Sequence, residues 1–383
     1  MASDNLPFNR RDSADVVIVG GGVIGLSIAR ELARRGVSEI VLCDKSELGK
    51  EASWAAGGIL APQVEADCAD DFFKLATASR DLYPSFAQAL HDETGIDVEL
   101  NQTGTLYVAF SEDEEVELRE RFEWQQPAGL RVEWLNGTDV RWLEPNVSAE
   151  VRYALRFPDD WQVENRKLVA ALIPANERLG VTLFPNCPVT SLRVDRDRVA
   201  GIETANGTIS AAVVVLCAGA WTSSLTSSTS APIEIEPVRG QMLCFKPKQQ
   251  IAHHVIYSKR GYVVPRGDGR VLAGSTSEHV GFDKRVTDEG ISSIKSMAFE
   301  IAPTLDGAPL LDSWAGFRPR AIDDLPLLGP DAGVQGLFYA TGHYRNGILL
   351  APITAHVMAD LIHGVSSSFI EAFSPNRFCA TQA

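Results

Sequence analysis

Gly20-Gly21-Gly22-Val23-Ile24-Gly25 lies between a continuous apolar run, Ala14 to Gly20, and a stretch with helical spacing, Val23 to Arg35. This GxGxxG pattern narrows the possible folds sharply. Glycine permits the strand-to-helix turn at Gly20, the close approach of a pyrophosphate at Gly22 and the tight packing of helix on strand at Gly25. An unbroken apolar run suits a parallel strand buried on both faces. Ile24, Ile28 and Leu32 share one helical face, Gly36 ends the helix, and Ile40 to Cys43 is a second apolar run closed by Asp44. Strand, helix and strand in this order imply a right-handed crossover. Free N–H groups and the dipole at the helix start favour phosphate. Asp44, 19 positions after Gly25, can accept from ribose hydroxyls, which argues against NADP and leaves NAD or FAD. A glycine-rich turn in an unrelated α/β protein is the alternative.

Two more segments bear on that choice. Ala52 to Leu60 (ASWAAGGIL) is small and glycine-rich and can lie against a planar ring; it reads equally as a flexible loop. Gly342 to Ile348 (GHYRNGI) precedes the last apolar helix, Asn346 to His363. Its amides can face a flavin pyrimidine, whose reduced form carries negative charge that a helix N-terminus stabilises.

Elsewhere, Phe72–Thr94, Ser111–Arg121 (with a Ser111/Glu114 capping box), Asn165–Leu179 and Thr287–Ala302 read as helices, and Pro174 should kink or split the third. Leu106–Phe110 and Leu337–Ala340 read as strands, and Ile233–Thr276 is strand-rich. Val189–Val214 reads as a meander around Asn206-Gly207, and Val213–Cys217 as a fully apolar strand ending in Ala218-Gly219-Ala220-Trp221. Leu225–Ala231 reads as a domain crossing, and residues 1–12 as a frayed tail.

The 383 residues suffice for two domains with large cores. Lys and Arg total 35 against 50 Asp and Glu, and the net charge of −15 disfavours a nucleic-acid partner. The six cysteines show no CxxC pair and read as free thiols. No apolar run is long enough for a membrane span, and the polar N-terminus lacks the apolar core of a secretory leader. A cytoplasmic location is the expectation.

Further segments carry a resemblance: Pro188-Val189, Pro237 to Gln241 (PVRGQ), Gly261 to Pro265 (GYVVP), Trp314 to Arg318 (WAGFR), Leu325 to Gly329 (LPLLG) and Gly342 to Pro352. With the glycine loop and Ser53 to Leu60, they make the chain resemble the D-amino acid oxidase superfamily of FAD-dependent oxidoreductases from about Asp15 to His363. The run His343 to Pro352 (HYRNGILLAP) is most similar to its glycine oxidase branch.

The resemblance implies an α/β fold with a Rossmann-like FAD-binding domain interleaved with a strand-rich α+β substrate domain. By the order of the motifs, residues 13–85, 151–226 and 325–383 form the first, and 86–150 and 227–324 the second. The FAD contacts implied are Gly20, Gly22, Val23, Ile24, Gly25, Asp44, Lys45, Ser53, Gly57, Gly58, Ile59, Val189, Gly219, His343, Tyr344, Arg345, Asn346, Gly347, Ile348 and Leu349. Some relatives link the flavin to a cysteine in the segment corresponding to Trp314–Pro319; none occurs there, so the FAD is expected to be non-covalent.

For the substrate, the resemblance implies that Arg318 clamps an amino acid carboxylate, Tyr262 meets the same carboxylate, and Arg345 touches both flavin and substrate. Taken singly, the three read as a strand surface residue, a core aromatic and a cap. Fifteen residues after Tyr262, where the branch carries a pocket-lining methionine, stands Ser277. A roomier pocket is expected, open to glycine, sarcosine and small D-amino acids. The α-hydrogen leaves as hydride to the flavin, the imine hydrolyses to an oxo acid and ammonia, and oxygen takes the electrons to give hydrogen peroxide. No side-chain base is needed for a neutral amine, and His343 reads as a hydrogen-bonded structural residue. His253-His254 has no carboxylate or cysteine partner in the sequence nearby, so no metal is expected.

The implied partners are the amino acid, oxygen, a thiazole synthase receiving the imine for thiamine, and further copies of the chain. Three alternatives stay open. They are a D-amino acid dehydrogenase passing electrons to a quinone, the flavin domain of a tRNA-modifying enzyme (disfavoured by charge), and a non-catalytic flavin-binding partner.

Overall fold

The computed structural model describes residues 12–226 and 233–382, with the side chains of 379–382 left aside. The expected tail and most of the Leu225–Ala231 crossing lie outside these residues. β1 (Ser13–Val19), α1 (Val23–Arg34) and β2 (Ile40–Cys43) form the expected unit, with β1 and β2 parallel. Val16 and Ile18 enter one apolar core while Val17 and Val19 enter another, so β1 is buried on both faces.

After α2 (Ala52–Ala55), β3 (Ile59–Leu60) and α3 (Pro62–Glu65) comes α4 (Asp71–Thr94). The Asp70 carboxylate accepts from Phe73 N–H at 2.7 Å at its start, and Gly95, with φ 75°, ends it. Then follow β4 (Thr105–Ala109), α5 (Glu112–Gln125), β5 (Glu133–Asn136), α6 (Gly137–Leu143), β6 (Tyr153–Phe157), β7 (Trp161–Gln162), α7 (Asn165–Arg178) and β8 (Thr182–Phe184). At α5 the Ser111 hydroxyl accepts from Glu114 N–H, and the Glu114 carboxylate reaches back to Phe110 N–H, one residue before Ser111. α7 is not split at Pro174. The carbonyl that proline leaves unpaired belongs to exposed Ala170, where water can serve it.

The meander is β9 (Val189–Asp195), β10 (Arg198–Thr204) and β11 (Gly207–Leu216). The expected strand at Val213 is the far half of β11, a single strand that pairs antiparallel with β10 and parallel with β1. After α8 (Thr222–Leu225) come β12 (Ile235–Phe245), β13 (Val255–Ser258), β14 (Gly261–Pro265), β15 (Val271–Gly274), α9 (Asp288–Ile301), β16 (Leu310–Ala321), β17 (Leu327–Pro330), β18 (Leu337–Thr341), α10 (Gly347–Ile362) and α11 (Ile370–Phe373).

The first sheet runs β17-β18-β11-β1-β2-β8 and carries β9 and β10 on β11. The second runs β16-β12-β15-β14-β13-β4-β6-β5. The architecture is thus the expected α/β one with a second, strand-rich sheet. β6, within the stretch 151–226, hydrogen-bonds into the second sheet, and α4 runs unbroken across 85/86 with Tyr83 and Leu90 in one core. These are features of strand pairing and helix packing that motif order does not report. Among the described residues, no helix is long and apolar enough to cross a membrane. Cys43, Cys68, Cys187, Cys217 and Cys244 are free thiols.

Candidate active site

A cavity of about 340 Å³ runs from the glycine loop to the second sheet. At one end, Gly20 has φ 113°, and a Cβ there would lie 2.3 Å from the Cys217 carbonyl oxygen. Gly25 is not on the wall; a Cβ on it would come 2.0 Å from the Gly20 carbonyl oxygen, which is the packing role expected of it. Ser53 Oγ accepts from Val23 N–H at 2.9 Å, tying the small-residue loop to the start of α1. Asp44 accepts from Gly21 N–H at 2.7 Å and, through its other oxygen, from Ser46 N–H at 2.8 Å. The first oxygen keeps lone-pair capacity for a ribose hydroxyl, while the second also accepts from the Ser46 hydroxyl at 3.0 Å. Lys45 lies 3.2 Å from the centre of the Trp221 ring, and burial lowers its pKa.

In the middle, the loop at Gly57 and Gly58 is held from behind. Gly58 has φ 71°, and a Cβ there would come 2.1 Å from the Val163 carbonyl oxygen. The buried Arg266 donates to the Gly57 and Val163 carbonyls, both at 2.8 Å, and to Asn165 Oδ1 at 3.0 Å. Burial pulls its pKa down to about 10. Asn346, Gly347 and Ile348, at the start of α10, form the facing wall. His343 is buried with Nε2 3.1 Å from Thr354 Oγ1, and desolvation lowers its pKa to about 3. Its imidazole is neutral and hydrogen-bonded, as expected of a structural residue.

At the far end, the second sheet contributes Tyr262 from β14 and Arg318 from β16. Tyr262 donates to Ser275 Oγ at 3.3 Å; Arg318 donates to Ser275 Oγ and, at 3.0 Å, to the Thr276 carbonyl. Further guanidinium N–H groups remain for a carboxylate. A Cβ on Gly240 would lie 2.5 Å from the Arg318 guanidinium, so the missing side chain makes room for it. Arg345, half-exposed, donates to Glu65 Oε1 at 2.8 Å, and the Tyr257 hydroxyl donates to the same oxygen at 3.2 Å. Glu65 pushes the Arg345 pKa up, so this guanidinium stays charged.

Tyr262, Arg318 and Arg345 thus line one cavity, together with every expected cofactor residue except Gly25 and Leu349. Leu349 is in the apolar core instead, because the helical turn that places Ile348 on the wall points its neighbour inward. Ser277 is exposed and off the wall; the chain leaves β15 at Gly274, and Ser275 lines the cavity in its place. The expectation of a roomier pocket from Ser277 therefore lapses.

Tyr257, Glu65, Met242 and Trp221 also line it and were not foreseen. Tyr257 had a readable signal, since the hairpin through Ser258 and Gly261 sets it directly opposite Tyr262. Glu65 had none. His254 has a carboxylate partner after all, Glu144 at 2.6 Å, brought from α6's C-terminal end. Among the described residues, no cluster could hold a metal.

The glycine cradle, the free acceptor capacity of Asp44 and the continuous cavity beyond them fit an extended FAD. The family described as FAD dependent oxidoreductase (DAO) matches residues 15–361. The chain belongs to that family. Within it, the chain is 37% identical to a glycine oxidase of Pseudomonas putida over 92% of its own length and 95% of the relative's. The crystal structure of glycine oxidase from Geobacillus kaustophilus superposes with a TM-score of 0.92 at 34% identity, covering 95% of this chain and 99% of that one. A bifunctional protein ThiO/ThiG of Trichormus variabilis is 36% identical over 95% of this chain but 55% of its own length. The glycine cradle, Asp44 and Ser53 would hold FAD, which would supply the redox chemistry when bound, while the protein would supply its placement.

Proposed function

We propose that this DAO member is a glycine oxidase, acting on glycine and other small amino acids such as sarcosine and small D-amino acids. The products are the imine or oxo acid, ammonia or the corresponding amine, and hydrogen peroxide. The observation that carries this reading is the shared anchoring of Arg318 and Tyr262 by Ser275 beside the wall of Gly57. The Arg318 fork binds the substrate carboxylate with charge-assisted hydrogen bonds, and the Tyr262 hydroxyl turns from Ser275 to the same group. That fixes the α-carbon in the cavity, so orientation replaces a search through solvent. Burial makes His343 a weak base, with its pKa lowered to about 3, and no side-chain base is required for an amine that arrives neutral.

The fused ThiO/ThiG relatives support a hand-over of the imine to a thiazole synthase. Purified protein should be yellow, lose its colour with glycine under anaerobic conditions and regain it in air with release of peroxide. Colour that persists with glycine, sarcosine, D-alanine and D-proline overturns the reading.

A further inference from the structure

The first turn of α10 makes its own Leu350 N–H to Asn346 carbonyl bond at 2.8 Å but lacks the helical donor for one carbonyl. Pro352 lies inside the helix and has no N–H, so the Ile348 carbonyl, four residues earlier, loses its helical donor. Both residues are buried, so water is not at hand to replace it. The Tyr83 hydroxyl, from the middle of α4, donates to that carbonyl. One turn earlier on α4, Ser79 Oγ donates to the Leu349 carbonyl at 2.6 Å and accepts from Ile353 N–H at 3.3 Å. It thus stands between the two ends of the next bond in the helical ladder. Tyr83 and Ser79 are fully buried, and desolvation raises the tyrosine pKa, so its proton stays in place.

We infer that Tyr83 and Ser79 are positioning residues for the flavin's electron affinity, acting through the first turn of α10. Two consecutive carbonyls of that turn take their donors from α4. Its opposite end, Asn346 to Ile348, forms the cavity wall. Hydrogen bonds to the carbonyl end polarise the peptide groups in series and strengthen the positive N–H end. The same two bonds fix where that end points. The inference rests on the reading that the flavin pyrimidine lies against this turn.

The experiment uses the purified holoenzyme and measures FAD content and the midpoint potential by viologen-mediated reduction against a reference dye. Neither measurement needs glycine, so a failure of the substrate assignment is seen separately, in the bleaching assay. Tyr83→Phe should keep its FAD and lose about tenfold in the two-electron reduction equilibrium, which is about 30 mV. Pro352→Ala restores a backbone N–H four residues after Ile348, so Tyr83→Phe/Pro352→Ala should recover most of that loss. A general packing defect would not be repaired in this way. If Tyr83→Phe does not yield holoenzyme, Ser79→Ala serves instead, with the same direction expected. An unchanged potential in the recovered variant, or no recovery in the double variant, overturns the inference.

Discussion

The Arg318 guanidinium lies against Gly240, on the neighbouring strand, at a distance that leaves no room for a methyl group. Gly240→Ala should displace the guanidinium from Ser275 and Thr276 without touching the cofactor loops. The KM for glycine should rise at least about tenfold at unchanged FAD content, by peroxide assay and flavin absorbance. Wild-type kinetics in this variant would show that Arg318 is not held here for the substrate.

Arg318→Ala leaves a substrate carboxylate without its cation. A loss of about 2–5 kcal/mol is expected, or about 30-fold and upward in kcat/KM. Arg318→Lys should recover only part, because an ammonium cannot reproduce the planar fork. An unchanged kcat/KM for glycine in Arg318→Ala would remove the residue from this role.

Arg345 should behave differently. Its partner Glu65 is already in place and the pair is open to solvent, where ion pairs are screened. Arg345→Ala is expected to raise KM by less than about tenfold and to leave kcat nearly unchanged. A hundredfold fall in kcat would instead place Arg345 at the reacting atoms.

His343 gives a pH signature. Its folded pKa is depressed to about 3, below the ordinary value near 6.5, so between those values the unfolded chain binds a proton that the folded chain refuses. This stability contribution is complete above about pH 6.5 and is lost as the pH falls, at about 1.4 kcal/mol per unit. His343→Asn should flatten that slope in denaturant titrations at pH 4.5 to 6.5. A wild-type slope in the variant would assign the acid sensitivity to other groups.

The sequence makes the cofactor end of the site legible because its chemistry is local. Gly20, Gly22, Gly25 and Asp44 act within one strand-helix-strand unit, where spacing alone specifies geometry. The substrate end is assembled from strands far apart in the chain. Arg318 and Tyr262 emerge there only through resemblance to a family. Ser277 fails because counting from Tyr262 carries past the end of β15, where strand alternation stops. Tyr257 was reachable from hairpin register, whereas Glu65 depends on how α3 packs, which no local pattern encodes. Likewise, Tyr83 and Ser79 read only as one face of an amphipathic helix until α10 is laid beside it.

β11 is one uninterrupted strand from the exposed Asn206-Gly207 turn to the rim of the cavity. Beyond it, the Cys217 carbonyl abuts Gly20. A strand paired on both edges is free to slide only as a whole, and a slip of one residue exchanges its faces. The hairpin turn therefore works as an alignment pin. A surface turn sets the phase of the strand whose other end meets the dinucleotide loop, and an insertion there would be felt at the cofactor.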